Sequence, residues 1–138
     1  MERKRVTVQV FVKAPIDLVW HSWTTPAHIE KWNAASDDWH TPKAVNDLRN
    51  KGRFVYTMAA KDGSISFDFC GTFFEIDEPN KIITHLDDQR KVWVTFEDKG
   101  NEVHVIETFE IENENSEELQ RFGWQAILDN FKKYTESL

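Results

Sequence analysis

One cysteine, four prolines, five glycines and no long apolar run set the first limits on this chain of 138 residues. A lone Cys70 cannot close an internal disulfide, and its apolar surroundings predict a buried, inert thiol in a reducing compartment. No stretch approaches the roughly 20 apolar residues that cross a bilayer, and MERKRVTVQV lacks the apolar centre of a signal peptide, so a cytoplasmic protein without membrane insertion is expected. Positive charge is also scarce. Seventeen Lys and Arg face 24 Asp and Glu, and the net charge of -7 opposes a phosphate backbone, so no nucleic-acid partner is expected. Repeats, low-complexity tracts and Ser/Gly-rich linkers are missing, which predicts one domain over residues 1–138. Neither HExxH nor CxxC occurs, and no metal or cofactor is expected.

Aromatic residues are plentiful instead. Six Trp and ten Phe imply either an aromatic-rich core or an aromatic-lined hollow. From Arg5 to Lys13, Val6, Val8, Val10 and Val12 alternate with Thr7, Gln9 and Phe11, the period-two pattern of a strand with one buried face. Ala14-Pro15 ends it, and IDLVWHSW and PAHIEKW read as two short helices, each near a proline. KDGS at 61–64, DEPN at 77–80, DDQR at 87–90 and DKGN at 98–101 then punctuate five strands near 53–60, 66–77, 81–87, 91–98 and 102–112. A further short strand is placed within 39–47, and a change of apolar parity predicts a bulge near Gly71 that curls the sheet. Ser116 opens a helix over 116–136, with Leu119, Gly123, Ile127, Asn130 and Tyr134 on one stripe and Trp124, Leu128 and Phe131 beside it.

The predicted class is α+β, in the order strand, two helices, six antiparallel strands, helix. A long helix with so broad an apolar face needs a concave partner, and a curled sheet supplies one. At this point APIDLVWHSWTTPAHIEKW at 14–32, NDLRNKGRF at 46–54, GTFFEIDEPNKI at 71–82 and GWQAILDNFKKY at 123–134 resemble, in order, the SRPBCC superfamily. That superfamily is also called START-like or Bet v 1-like. The branch they resemble is similar to the C-terminal domain of activator of Hsp90 ATPase. The resemblance implies a helix-grip fold with a ligand cavity between sheet and long helix, and raises a chaperone as partner. Where the family often carries paired glycines, Asn50-Lys51-Gly52 keeps one, so a different turn is expected there.

The stretch SDDWHTPKAVNDLR, residues 36–49, admits three readings. Asp38 and His40, spaced i, i+2, with Asp47 nearby, form a carboxylate–imidazole ligand set. The stretch also reads as a solvated loop whose aspartates cap turns. Thirdly it reads as a cavity mouth, with Trp32, Trp39 and His40 lining it and Asp38, Asn46, Asp47 and Arg49 as polar handles.

On the last strand Glu107 shares the inward parity of Val103, Val105, Phe109 and Ile111. Its plain reading is an ion pair with Arg49, Arg53 or Arg90; the other is a ligand-binding or acid/base carboxyl of raised pKa. Phe54, Tyr56 and Met58 share a parity and read as core or as pocket wall. Phe69, Trp93, Trp124 and Ile127 complete the candidate lining. His21, His28, His85 and His104 read as surface.

Three functions follow as expectations. The first is a binding module that holds a small hydrophobic or aromatic molecule beneath helix 116–136. The second is an acid/base enzyme of the cyclase or dehydratase sort, with Glu107, Asp38 or His40 moving protons. The third is a chaperone-accessory or stress-response protein acting through its surface. An exposed edge strand would in addition allow pairing with a second copy.

Overall fold

The computed structural model describes residues 3–138. Strand β1 (Arg5–Val12) is followed by helices α1 (Ile16–Thr24) and α2 (Pro26–Trp32). Six strands come next: β2 (Trp39–Asn46), β3 (Arg53–Ala60), β4 (Ser66–Asp77), β5 (Lys81–Leu86), β6 (Lys91–Asp98) and β7 (Val103–Glu110). Helix α3 (Glu117–Glu136) ends the chain. All seven strands form one antiparallel sheet in the order β1-β7-β6-β5-β4-β3-β2. The order predicted from the sequence and the helix-grip architecture both hold.

Strand β1 buries Val6, Val8, Val10 and Val12 and exposes the residues between them, so its period-two pattern translates directly into a concave inner face. Left-handed backbone at Gly63, Gln89 and Gly100 closes three of the predicted hairpins. Curling comes from two irregularities. The β4–β5 register shifts between Phe73 and Glu75, three residues beyond the predicted bulge at Gly71, and the β2–β3 register shifts between His40 and Lys43. Gly71 has another role: a Cβ there would lie 2.4 Å from the His85 carbonyl oxygen, so β4 and β5 approach closely only because it has no side chain. At the expected unusual turn, Lys51 takes φ 71, the left-handed conformation that a glycine adopts without cost, and its N–H donates to the Phe73 carbonyl at 2.7 Å.

Ser116 caps α3 by accepting from the Leu119 N–H, as its sequence implied. The buried stripe differs from the predicted one. It runs through Gln120, Leu128, Phe131 and Thr135, whereas Leu119 is exposed. The C-terminal half of α3 packs against α1 and α2, where Trp23 and Trp32 stack on each other and meet Phe131 edge-on. Ser22 and Thr135 share a buried hydrogen bond of 2.9 Å, and the Trp32 indole N–H donates to the Ser22 carbonyl at 2.9 Å. The N-terminal half of α3 overhangs the sheet and leaves space beneath it.

Helix side chains bond to the backbone of both edge strands, at several positions on β1 and at one on β2. On β1, the Thr7, Gln9 and Phe11 carbonyls accept from Arg121, Gln125 and Lys132, and the Lys13 N–H just beyond the strand donates to Glu136. On β2, the Ala44 N–H donates to the Glu30 carboxylate at 2.9 Å. The expected open edge is therefore absent along these bonded positions.

Cys70 corrects another expectation. It faces the outer, convex side half-buried, with its thiol 3.3 Å from Asp87 and beside Arg53. Burial first, then the Asp87 carboxylate, pushes the thiol above its ordinary range, so it stays protonated and unreactive at neutral pH.

Gly71→Ala is expected to lower stability by about 2 kcal/mol, because the added methyl forces apart two strands that cannot relax cheaply. A denaturant midpoint equal to that of the wild type would show that the close approach of β4 to β5 is not a constraint.

Candidate functional site

Beneath the N-terminal half of α3 lies a cavity of about 670 Å³. Its floor is the inner face of β3 to β7 and its roof is Gly123, Trp124 and Ile127. Parity puts Phe54, Tyr56 and Met58 of β3 on this floor, with Phe69 and Phe73 of β4, Ile82 and Thr84 of β5, and Val92 and Val94 of β6. Rings dominate the wall: Phe54 lies 5.1 to 6.1 Å from Tyr56, Phe69 and Phe73, and Trp124 stacks on Phe109 at 4.1 Å. Exposed apolar side chains stand around the opening, with Ile65 and Phe67 of the β3–β4 hairpin and Leu119 of α3 about half exposed, beside the exposed Glu114 and Asn115. Gln120 fixes the segment beside it, donating to the Glu112 and Asn115 carbonyls and accepting from the Glu112 N–H.

Glu107 is the polar feature of the interior. It is 8% exposed, and no ion pair or hydrogen bond reaches its carboxyl among the described residues. Every side-chain nitrogen or oxygen that is fully closed off among those residues has a partner, so the unbonded Glu107 oxygens are ones that open into the cavity. Burial alone pushes this carboxyl up to about 8, which keeps it protonated at neutral pH. The expected ion pair fails for a geometric reason. Arg49 pairs with Asp47, Arg53 with Asp87 and Arg90 with Asp88, so each guanidinium is already held by an aspartate. Tyr56 is the second interior titratable group; burial pushes its hydroxyl up to about 12, and its oxygen accepts from the Asn46 amide at 3.3 Å.

Of the residues predicted to line the cavity, Trp32, Phe54, Tyr56, Met58, Phe69, Glu107, Trp124 and Ile127 do so, whereas Trp39, His40, Arg49 and Trp93 do not. Trp93 lies on the opposite parity from Val92, Val94 and Phe96, and its ring carries the Arg5 guanidinium 4.4 Å from its centroid on the outer face. Trp39 begins edge strand β2, packing tilted against Phe67 at 6.0 Å, and His40 is exposed beside it. Asp38 is exposed and accepts from Ser36, so neither Asp38 nor His40 reaches the interior as a proton carrier.

Among the described residues no three His, Cys, Asp or Glu side chains gather as metal ligands. The stretch 36–49 is therefore largely a solvated edge, and only its Asn46 and Leu48 line the cavity. Trp23, Phe73 and the inward residues of β5 and β6 were missed by sequence reasoning, although the parity of Ile82, Val92 and Val94 already marked them.

Comparison with known proteins agrees with this architecture. Residues 13–136 match the family described as Activator of Hsp90 ATPase homolog 1-like protein. The chain belongs to that family. It is 42% identical to an AHSA1-like protein from Aeromonas hydrophila, over 97% of this chain and 93% of that one, with a TM-score of 0.91. It is 48% identical to the Cytophaga hutchinsonii protein Chr148, over 96% and 92% of the two chains, with a TM-score of 0.84. CalU16 from Micromonospora echinospora, 18% identical with a TM-score of 0.71 over 97% of this chain and 77% of that one, shares the fold alone. No curated protein matches. No helix among the described residues of this family member is long and apolar enough to cross a membrane.

The raised Glu107 sets a pH dependence of stability. The unfolded carboxyl ionises from about 4.5, the folded one only near 8, so the protonated form's contribution is full below 4.5 and is lost as pH rises to 8. Each pH unit in that window costs about 1.4 kcal/mol. Glu107→Gln is expected to melt several degrees above the wild type at pH 7.5 and level with it at pH 4.5. Parallel melting curves across pH 4.5 to 8 would show instead that the carboxyl is solvated.

Proposed function

We propose that the chain is a binding protein that holds a small, largely apolar or aromatic molecule in the cavity between sheet and α3. The observation that carries this reading is an aromatic-walled hollow of about 670 Å³ with the buried Glu107 carboxyl, unpartnered among the described residues, turned into it. A volume of that size suits a small molecule, and an apolar wall with few convergent polar groups is the usual make-up of such sites. Ring faces supply burial and contact area, while Glu107, Tyr56 and Asn46 fix orientation. The half-exposed Ile65, Phe67 and Leu119 at the mouth give an apolar ligand a path inward.

A second reading rests on Glu107 alone. A carboxyl that keeps its proton at neutral pH inside an apolar site is equipped as a general acid, so a proton-transfer enzyme acting on the bound molecule is the alternative. Asp38 and His40 drop out of it because they lie outside the cavity.

Gly123 provides the test, since a Cβ added there meets nothing within 4 Å. The neutral fluorophore N-phenyl-1-naphthylamine is expected to bind with rising emission and to raise the melting temperature by mass action. Gly123→Leu, which projects into the hollow, is expected to abolish both effects while the empty protein melts no lower, because Leu is the better helix former. Emission that ignores the leucine would place the probe elsewhere and remove the cavity from the proposal.

A further inference from the structure

Resting on that reading, we infer that the cavity selects a cationic ligand, an aromatic or alkyl ammonium group seated against the Glu107 carboxylate and the surrounding ring faces. Three independent features converge on this class. First, Glu107 is more than nine-tenths buried, unpartnered among the described residues and directed into the hollow, so once ionised it finds no counter-charge among them. Second, the walls are rings: Trp23, Trp32, Phe54, Tyr56, Phe69 and Trp124 present the electron-rich faces that attract an ammonium ion once it leaves water. Third, the charge around the cavity is lopsided. Among the described residues Glu112 and Glu114 line it against one guanidinium, that of Arg90, whose Nε already donates to Asp88 at 2.7 Å.

A cation changes the protonation of the site as it binds. In the empty cavity Glu107 keeps its proton; a fixed positive charge beside it favours the carboxylate, and the proton leaves to solvent. Binding of a cation therefore strengthens with pH up to the carboxyl's own range. A neutral hydrogen-bond acceptor has the opposite dependence, because it needs the O–H of the protonated acid.

Among the described residues the other titratable or charged groups around the cavity are Tyr56 on β3, Arg90 before β6, and Glu112 and Glu114 after β7. The lining residues of α1, α2, α3, β4, β5 and β6 carry none, and β1, beside β7, turns only valines inward. Tyr56, held at about 12, does not titrate in the window used below.

Three probes of one shape separate the outcomes: trimethyl(2-naphthylmethyl)ammonium, whose charge is independent of pH, 2-naphthalenemethanol, and 2-naphthylacetate. Affinities are read by quenching of the cavity tryptophans from pH 6 to 9. The ammonium probe is expected to bind at least tenfold more tightly than the alcohol at pH 8.5, and to gain at least about tenfold between pH 6 and 9 as Glu107 ionises. Glu107→Gln is expected to remove both the preference and the slope, leaving the alcohol's affinity in place. Equal affinity for cation and alcohol, or an ammonium affinity flat with pH in the wild type, overturns the inference while the cavity reading stands. Tightest binding of the acetate overturns it in favour of Arg90 as the anchor. Binding of none of the three overturns the cavity reading as well.

Discussion

A single helix has to cover a sheet that is wider than it is. Seven strands at about 4.8 Å spacing span roughly 29 Å, whereas a helix with its side chains is about 10–12 Å across. Curling narrows the gap, and α1 and α2 fill the part of the concave face where Trp23, Trp32 and Phe131 interlock. Beneath the other half of α3 no described residue arrives to fill it. The hollow is thus a consequence of the architecture, and the sequence determines only what lines it.

That lining follows from where α3 is anchored. Ser22 with Thr135, Trp32 with the Ser22 carbonyl, and the side chains along β1 fix the C-terminal half of the helix and one of its flanks. Gln120 secures the turn that leads into it. With both ends held, the intervening residues cannot collapse onto the sheet, and Gly123 offers no side chain to do so. Glu107 occupies a position where every neighbour of the same parity on its strand is apolar, and no described residue pairs with its carboxyl, which keeps its proton there. Above the ordinary carboxylate range of pH that position costs stability.

The fold was legible because periodicities and turn residues are local signals. Valines at 6, 8, 10 and 12, the glycines at 63 and 100, and the Ser116 cap each act within a few residues, and each element appears where those signals put it. The bulge was predicted too early because Gly71 marks a close strand approach, while the extra residue lies beyond Phe73. The partners of Glu107 were misread for a different reason. Arg49, Arg53 and Arg90 were eligible by charge, but Asp47, Asp87 and Asp88 took them across local turns or on the outer face, a choice made in three dimensions. Trp93 is on the opposite parity from the buried Val92, Val94 and Phe96, which puts it outside. Trp39 and His40 were lost to an edge strand whose bulge resets which residues face inward.

The side chains along the two outer strands carry a consequence for how copies of this protein meet. A sheet grows by offering its bare backbone to another chain, and such growth underlies both strand-to-strand dimers and fibrils. Here Arg121, Gln125, Lys132 and Glu136 stitch one border to the helix, and Glu30 blocks the middle of the other. A second molecule therefore finds the β1 backbone already bonded at alternate residues, and on β2 it meets the Glu30 carboxylate at Ala44. The contacts that seat the roof helix also cap the β1 border of the sheet.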